Sequence, residues 1–218
     1  MRRPASPELS KITRTTLAHY EGGAERFWES TRTHDVSQNL EALLDALAGD
    51  GPFQILDFGC GPGRDLIALR ERGHHPVGID GALAFVRMAR THAGVEVWHQ
   101  DFLALDLPEA AFDGVFANAS LFHVPALELP RVLAELRACL RAGGVLFSSN
   151  PRGSNEEGWQ GSRYGAYHDL ERWRAICVAA GFDEVRHYYR PDGLPRDQQP
   201  WLASLWRNPG DGDPGSVG

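Results

Sequence analysis

Residues 57–65 read Asp-Phe-Gly-Cys-Gly-Pro-Gly-Arg-Asp and overlap the end of a short apolar run at 53–58. Three glycines within five residues let a backbone turn tightly and approach a ligand where a Cβ atom would clash. A plain turn with positive φ normally needs a single glycine, so the repetition favours a ligand-binding loop. A helix is predicted over about 63–72. The segment is therefore predicted to form a strand, a glycine loop and a helix.

Strands and helices are predicted to alternate along the rest of the chain. Strands are predicted at 53–58, 75–80, 95–98, 112–117 and 144–149, with late strands near 183–189 and 200–206, and helices at about 82–92, 127–140 and 169–180. This alternation is typical of right-handed βαβ units. The predicted fold class is α/β, a Rossmann-like, mostly parallel seven-stranded sheet with helices on both faces and an N-terminal helical cap.

The sequence pattern also predicts three regions of the chain. Residues 7–48 read as helical, with Asp35 and Gln38 as a capping box for the second half. Residues 1–50 are therefore expected to form the cap or lid, and residues 51–207 the ligand-binding domain. The remaining residues, 208–218, are rich in glycine and proline and are expected to be disordered.

The spacing of the glycines separates two kinds of ligand. A dinucleotide fingerprint would place its third glycine at position 64, which is Arg64, so the NAD interpretation is disfavoured. The observed G-x-G-x-G pattern, directly preceded by Asp57, resembles motif I of class I S-adenosylmethionine (SAM)-dependent methyltransferases. The resemblance extends over about residues 50–150. It implies SAM as the cofactor and methyl transfer as the activity.

The resemblance also implies a set of cofactor-binding residues. Asp80 ends the second strand, where a carboxylate can accept both ribose hydroxyls, although a helix N-cap is the alternative role. Asp101 follows the third strand at the position of the family's adenine-binding acid, beside Phe102. In the N-terminal helices, a Tyr or Arg would bind the carboxylate of the cofactor. The predicted cofactor-binding residues are Tyr20, Arg32, Asp57, Gly59, Cys60, Gly61, Gly63, Asp80, Gly81, Gln100, Asp101, Phe102 and Asn118.

The stretch after the fourth strand supplies the candidate catalytic residue. It reads Asn118-Ala-Ser-Leu121, without the Asn/Asp-Pro-Pro-aromatic tetrad of enzymes that methylate amide or nucleobase amino groups. His123 follows, and its ordinary pKa suits a general base. A histidine that caps or packs under the next helix is an equal alternative. Methyl transfer from a sulfonium needs alignment of the reactants, and a base only where the acceptor carries a proton.

Aromatic and arginine residues supply the candidate acceptor site. The connection 150–168 is long and aromatic, which favours a lid over the active site rather than a disordered linker. Arginine forks would suit a carboxylate or phosphate, and aromatic faces a cationic amine. The predicted substrate-binding residues are Trp28, His123, Arg152, Arg163, Tyr164 and Tyr167.

Composition limits the function classes. The formal net charge of −7 and the lack of basic runs disfavour a nucleic-acid partner, and no apolar run reaches the length of a membrane span. Three widely spaced cysteines suit a cytoplasmic protein, and no ligand cluster suggests a metal. A monomer or homodimer is expected.

The predicted function is transfer of a methyl group from SAM to nitrogen, oxygen or sulfur of a small-molecule acceptor. Two alternatives stay open at this point: a SAM-binding protein without catalysis, and a methyltransferase acting on protein or RNA.

Overall fold

The computed structural model describes residues 6–210, which form six α-helices and nine β-strands. The helices are α1 (Pro7–Thr31), α2 (Ser37–Leu44), α3 (Arg64–Glu71), α4 (Leu83–Ala93), α5 (Leu129–Cys139) and α6 (Leu170–Ala179). The strands are β1 (Gln54–Phe58), β2 (His75–Asp80), β3 (Val97–His99), β4 (Phe112–Asn118), β5 (Leu140–Pro151), β6 (Glu156–Gln160), β7 (Arg163–Tyr167), β8 (Asp183–Arg190) and β9 (Trp201–Arg207).

Seven of the strands form one sheet in the order β3-β2-β1-β4-β5-β9-β8. Strands β1 to β5 pair in parallel, whereas β9 runs antiparallel to both of its neighbours, β5 and β8. Strand β8 therefore runs in the same direction as β5. The carboxyl ends of β1, β2, β4, β5 and β8 meet at one edge, and β9 begins there. This arrangement confirms the predicted Rossmann-like class.

Alternate residues of the central strands bury against the two helical layers. On β4, Val115 belongs to the core beneath α5 and α6, while Phe116 faces the opposite way and packs with Leu43 of α2. The Phe116 ring stacks on Phe147 of β5 at 4.9 Å. Because both faces of the central strands are buried, these strands read as nearly continuous apolar runs.

The N-terminal region is helical as predicted, and a turn between Thr31 and Ser37 separates α1 from α2. Asp35 accepts a hydrogen bond from the Ser37 backbone N–H at 2.9 Å, and Val36 is the N-cap of α2. The predicted capping box is therefore wrong, since the side chain of Asp35 closes a local turn outside the helix.

The segment predicted as a long loop contains a β-hairpin. Strands β6 and β7 pair antiparallel, with Trp159 opposite Tyr164 and Gly158 opposite Gly165. The hairpin docks on α1, where the Tyr164 backbone N–H donates to Thr16 Oγ1 at 3.1 Å. It is a separate two-stranded sheet over the carboxyl edge of the main sheet, and its paired backbone explains how so long a connection remains ordered.

Asn208, the first residue of the predicted disordered tail, is part of the fold. Asn208 is 5% exposed, and its side-chain amide donates to the backbone carbonyls of Leu140 and Arg141 at 3.1 and 3.2 Å. Asn208 therefore belongs to the folded domain. Residues 211–218, which carry the rest of the tail prediction, lie outside the described residues.

Candidate functional site

A cavity of about 760 Å³ lies at the carboxyl edge of the sheet. Its floor is formed by the glycine loop after β1 and by the ends of β2 and β4, and α1 contributes a wall above them. This cavity volume lies within the range of small-molecule and cofactor sites. The residues predicted from the sequence that line it are Tyr20, Trp28, Gly59, Cys60, Gly61, Asp80, Gly81, Asp101, Phe102, Asn118, His123 and Arg163.

The glycine loop is shaped by two of its glycines. The N–H groups of Gly59 and Cys60 both donate to the Ile79 carbonyl, at 2.9 and 3.1 Å, which ties the loop to β2. Gly59 has φ +80°, and an added Cβ would lie 2.4 Å from Cβ of Ser120. Gly61 has φ +53° and faces the cavity, with only Phe27 within 4 Å of an added Cβ. The loop is therefore a concave wall of the cavity, and side chains in place of its glycines would fill the space beside it.

Asp80 lies at the end of β2, at the cavity wall. Its Oδ2 accepts from the Gly61 N–H at 2.9 Å, and its Oδ1 accepts from the Ala82 N–H at 2.8 Å. Burial raises the pKa of this carboxyl to about 6, partly offset by hydrogen bonds from the backbone N–H groups of Ala82, Gly61 and Gly81. Asp80 therefore holds the glycine loop and the start of α4 while it faces the cavity.

Asp101 and Phe102 form the next part of the wall. The Phe102 ring stacks on Phe58 with centroids 4.1 Å apart, and Asp101 Oδ1 accepts from the Leu103 N–H at 2.9 Å. Burial raises the pKa of Asp101, while the Leu103 N–H and Arg131 oppose the shift. The predicted role of Gln100 is not supported, because its amide bonds the backbone of Asp106 and its side chain does not line the cavity.

Tyr20 and His123 form a hydrogen-bonded pair between α1 and the segment after β4. His123 Nδ1 lies 2.7 Å from the carbonyl oxygen of Tyr164, which can only accept, so Nδ1 carries the proton. Nε2 of the neutral ring is therefore an acceptor, and the Tyr20 hydroxyl donates to it at 2.7 Å. Both residues line the cavity. The structure thus assigns the tautomer of His123 and connects it to the hydroxyl of Tyr20.

The burial of this pair changes the acid–base properties expected from the sequence. Desolvation lowers the pKa of His123 to about 4, opposed by its hydrogen bond to Tyr164. Burial also raises the pKa of Tyr20, while the neighbouring Arg163 lowers it. The ordinary histidine pKa expected from the sequence is therefore lowered at this site, because the ring is largely desolvated and lies near Arg163.

A polar network beneath the cavity was not found from the sequence. Arg64 pairs with Asp65 at 2.7 Å and donates to the Thr31 carbonyl at 3.1 Å, which joins α3 to the end of α1. Asn118 donates to Asp65 Oδ2 at 3.3 Å and accepts from Asn39 at 3.0 Å. Arg64 and Asp65 close the motif quoted above, so their polarity directly after the glycines was the available signal.

Two predicted site residues of the motif, Asp57 and Gly63, lie outside the cavity lining. Asp57 is 1% exposed behind the loop, and its Oδ2 has no hydrogen-bond partner among residues 6–210. Burial, followed by the charge of Asp65, raises the pKa of Asp57 well above its usual range. An added Cβ at Gly63 would lie 2.9 Å from the Cα of Ala89, so Gly63 allows α3 and α4 to pack closely. These residues shape the loop from behind.

Four other predicted residues are also absent from the cavity lining. Arg32 is half exposed and pairs with Glu29 at 3.2 Å. Arg152 donates to the Arg196 carbonyl and lies over the ring of Tyr189. The remaining two are hairpin tyrosines, Tyr164 with its ring against Trp159 and Tyr167 with its ring near Phe122. The sequence placed them in the right segments, but side-chain direction depends on packing that only the fold supplies.

Residues 6–210 hold neither a metal-binding cluster nor a membrane-spanning helix. Within that range no three or more His, Cys, Asp or Glu side chains cluster in a way that could hold a metal ion. No helix in the same range is both long enough and apolar enough to cross a membrane.

Comparison with known proteins now identifies the chain. Residues 55–144, which contain the glycine loop, Asp80 and Asp101, match the family model described as a methyltransferase domain. The ubiquinone biosynthesis O-methyltransferase of Pseudomonas aeruginosa is 28% identical over 196 residues, covering 85% of this chain and 81% of that protein. The chain is a class I SAM-dependent methyltransferase. Its cofactor is SAM.

Further relatives of the methyltransferase differ in coverage. The trans-aconitate 2-methyltransferase of Azoarcus is 35% identical over 126 residues, which cover 56% of this chain and 49% of that protein. The 1,6-didemethyltoxoflavin-N1-methyltransferase of Burkholderia thailandensis, solved with 1,6-didemethyltoxoflavin and S-adenosylhomocysteine (SAH), has a TM-score of 0.72 and 22% identity. That alignment covers 95% of this chain and 92% of the other, so the shared fold includes the N-terminal helices and the late strands.

The residues of the methyltransferase cavity are compatible with SAM. The concave wall at Gly61 leaves room for a ligand, and the carboxylates of Asp80 and Asp101 offer acceptors for hydroxyl and amino groups. The ring of Phe102 and the side chain of Leu103 provide an apolar surface beside them. This combination of two acids, one aromatic ring and an open glycine loop suits an adenosine group.

Proposed function

We propose that the methyltransferase transfers the methyl group of SAM to a nitrogen, oxygen or sulfur atom of a small-molecule acceptor. The observation that carries the proposal is the cavity covered by α1, in which the Tyr20–His123 pair lies between the cofactor-side residues and the far end of the sheet. A covered cavity of this size suits a small molecule better than a protein or RNA chain, which needs an open groove. SAM, when bound, supplies the electrophilic methyl group of its sulfonium.

In this proposal the cofactor is held by the residues along β1, β2 and β4. Asp80 accepts the ribose hydroxyls, and Asp101 accepts from the adenine amino group, with the ring held against Phe102. Gly59, Cys60, Gly61 and Gly81 bring backbone close to the cofactor, and Asn118 lies toward its methionine end. The support is that these residues line the same cavity and lie at or after the ends of the neighbouring strands β3, β2, β1 and β4. The proposed roles of Tyr20 and Arg32 at the cofactor carboxylate are not retained, because Tyr20 bonds His123 and Arg32 points away.

The Tyr20 hydroxyl oxygen is the proposed contact with the acceptor. Its proton is committed to His123 Nε2, and Arg163 donates a hydrogen bond to the same oxygen, which leaves one lone pair to accept a hydrogen bond from an acceptor O–H or N–H. If the acceptor loses its proton during methyl transfer, that proton moves to the Tyr20 oxygen while the Tyr20 proton moves to His123 Nε2. A histidine with a pKa of about 4 is a weak base, so orientation of the acceptor is the larger part of this role.

The printed functions of the relatives support the choice of acceptor class. Their names refer to ubiquinone biosynthesis, to trans-aconitate and to 1,6-didemethyltoxoflavin. Ubiquinone and the other two compounds are all small molecules. The acceptor atoms differ among them, since one name states an O-methyltransferase and another an N1-methyltransferase. The relatives therefore support a small-molecule acceptor and leave its identity to experiment.

The experiment is a metabolite screen with SAM that carries an isotope-labelled methyl group. The protein is incubated with a fractionated small-molecule extract, and labelled products are identified by mass spectrometry. We expect one labelled compound with a mass below roughly 1 kDa, as is typical of a small-molecule ligand. This labelled compound should be absent when the Asp80→Ala protein is used. Labelling of protein or RNA instead would contradict the proposal. SAH binding without any labelled product would favour the alternative of a non-catalytic SAM-binding protein.

A further inference from the structure

The cavity extends well beyond the proposed cofactor region. Its far end is lined by Arg190 at the end of β8 and Trp201 at the start of β9. Five strand spacings separate β2, which ends at Asp80, from β8 in the sheet order. At about 4.8 Å per spacing, the two strand ends are roughly 24 Å apart along the edge. The far end therefore lies on the acceptor side of the cavity.

Arg190 forms no ion pair among residues 6–210, although the pKa of the exposed Asp35 carboxylate nearby is lowered by hydrogen bonds from Ser37 and also by the charge of Arg190. Its Nη2 donates to the backbone carbonyl of Asp35 at 3.3 Å, and its Nε is buried without an acceptor among residues 6–210. Arg64, by contrast, also lines the cavity but is neutralised by Asp65. A buried Nε–H without an acceptor is unfavourable, and a ligand that supplies an acceptor there would satisfy it.

The surroundings of Arg190 indicate which anion fits. Val36, Pro191 and Trp201 give this end of the cavity apolar walls. Asp35 also lines it and is the one acidic residue among these neighbours, with its carboxylate accepting from the Ser37 N–H. The Asp35 carboxylate repels a dianionic phosphate more strongly than a monoanionic carboxylate, so a carboxylate is the better match for Arg190. An apolar body that carries a carboxylate therefore matches both the charge and the walls.

We infer that Arg190 binds a carboxylate group of the methyl acceptor, whose apolar part packs against Trp201. The inference rests on the proposed function, because it treats the far end of the cavity as the acceptor site. Arg190 then acts as a specificity-determining residue for carboxylate-bearing acceptors. It has no part in cofactor binding.

Ligand-induced stabilisation of the SAH complex tests this. Benzoate, phenylacetate and hexanoate are each compared with the corresponding primary amide, and phenyl phosphate is included as the dianion. We expect at least one carboxylate to raise the melting temperature more than its amide, with apparent affinity about tenfold or more higher. Arg190→Gln should abolish this preference, and Arg190→Lys should retain part of it. Arg186→Gln is the matched control, since Arg186 lies on the same strand and does not line the cavity.

The outcomes separate this inference from the proposed function. If SAH itself fails to stabilise the protein, the proposed function is wrong and this inference falls with it. If SAH binds but no carboxylate is preferred over its amide, or phenyl phosphate binds best, the inference alone is wrong. A carboxylate preference that persists in Arg190→Gln would also overturn it. A loss of preference in Arg190→Gln with SAH stabilisation unchanged excludes misfolding as the cause and supports it.

Discussion

The hydroxyl of Tyr20 lies 2.7 Å from Nε2 of His123, across the covered end of the methyltransferase cavity. The two residues are 103 positions apart in the chain. The hydrogen bond from His123 Nδ1 to the Tyr164 carbonyl fixes the ring so that Nε2 can only accept. Helix α1, the segment after β4 and the hairpin therefore meet at one hydrogen-bonded chain, and the acceptor is expected to bind beside it.

The first prediction concerns catalysis by this pair. Tyr20→Phe keeps the ring against Phe27 and Phe85 but removes the hydroxyl, and we expect methyl transfer to slow by about 10²-fold. His123→Gln can still donate to Tyr164 and accept from Tyr20, yet it lacks a basic nitrogen. SAH affinity, measured by calorimetry, should change little in either variant. Rates are measured by single-turnover methyl transfer.

Comparison of the two variants separates orientation from proton transfer. If the pair mainly orients the acceptor, His123→Gln should be faster than Tyr20→Phe, and the double variant should be no slower than Tyr20→Phe. Equal and large losses in both single variants would assign proton acceptance to His123. Unchanged rates in Tyr20→Phe would remove the pair from the mechanism.

The second prediction concerns stability against pH. Burial lowers the pKa of His123 to about 4 in the folded protein, below the ordinary 6.5 expected when unfolded. Between these values the unfolded chain binds more protons than the folded one, so the free energy of unfolding falls as pH falls from about 6.5 to 4. Relative to His123→Gln, the wild type should lose up to about 3 kcal/mol across this window.

Urea unfolding of both proteins at several pH values measures this difference. Asp80, whose pKa is raised to about 6, contributes a change of opposite sign, but it contributes to both proteins and cancels in the comparison. A constant difference between wild type and His123→Gln from pH 7 to 4 would show that His123 titrates normally.

The third prediction concerns cofactor affinity and Asp80. With a pKa of about 6, this carboxyl takes up a proton under mild acidity and loses acceptor strength. The affinity for SAH should therefore fall below about pH 6, by at most about tenfold per pH unit. Asp80→Asn should cost about 1.5–3 kcal/mol of SAH binding free energy at pH 7.5. The variant should also lack the fall in SAH affinity below about pH 6, which we call the acid step. Calorimetry checks both, with the exposed Asp50→Asn as the control.

The same experiment can contradict the assignment of Asp80. A folded Asp80→Asn protein with wild-type affinity would reduce Asp80 to its structural contacts with the N–H groups of Gly61 and Ala82. An acid step that persists in the variant would assign the proton to another group at the site.

The fourth prediction concerns α1 as the cover of the cavity. Glu21 of α1 accepts from the backbone N–H groups of Leu83 and Ala84, the latter at 3.1 Å, where α4 begins without a side-chain cap of its own. Glu21→Ala should loosen α1 and raise hydrogen exchange over residues 12–31 in the free protein, with partial recovery when SAH binds. Glu25→Ala, an exposed position one turn on, is the control. Equal exchange in all three proteins, with and without SAH, would make α1 a fixed wall.

The sequence was sufficient for the fold class and for one wall of the site. The glycines of the 57–65 motif, Asp80 and Asp101 follow strand ends, and the carboxyl ends of parallel strands meet at one edge whatever the details of packing. Local chemistry and the order of elements therefore predicted the cofactor, which the family match confirms. The proposed contacts of individual residues remain predictions.

The acceptor side was decided by tertiary structure. Sequence placed Arg152, Tyr164 and Tyr167 in the cavity, whereas the fold turns them elsewhere and brings in Arg190 from β8. It gave His123 an ordinary pKa, which burial and Arg163 lower. Side-chain direction, desolvation and the pairing of charges depend on contacts between residues distant in the chain, such as Tyr20 and His123. These contacts cannot be predicted from the local sequence. The strand ends could be predicted because their position follows from chain order alone.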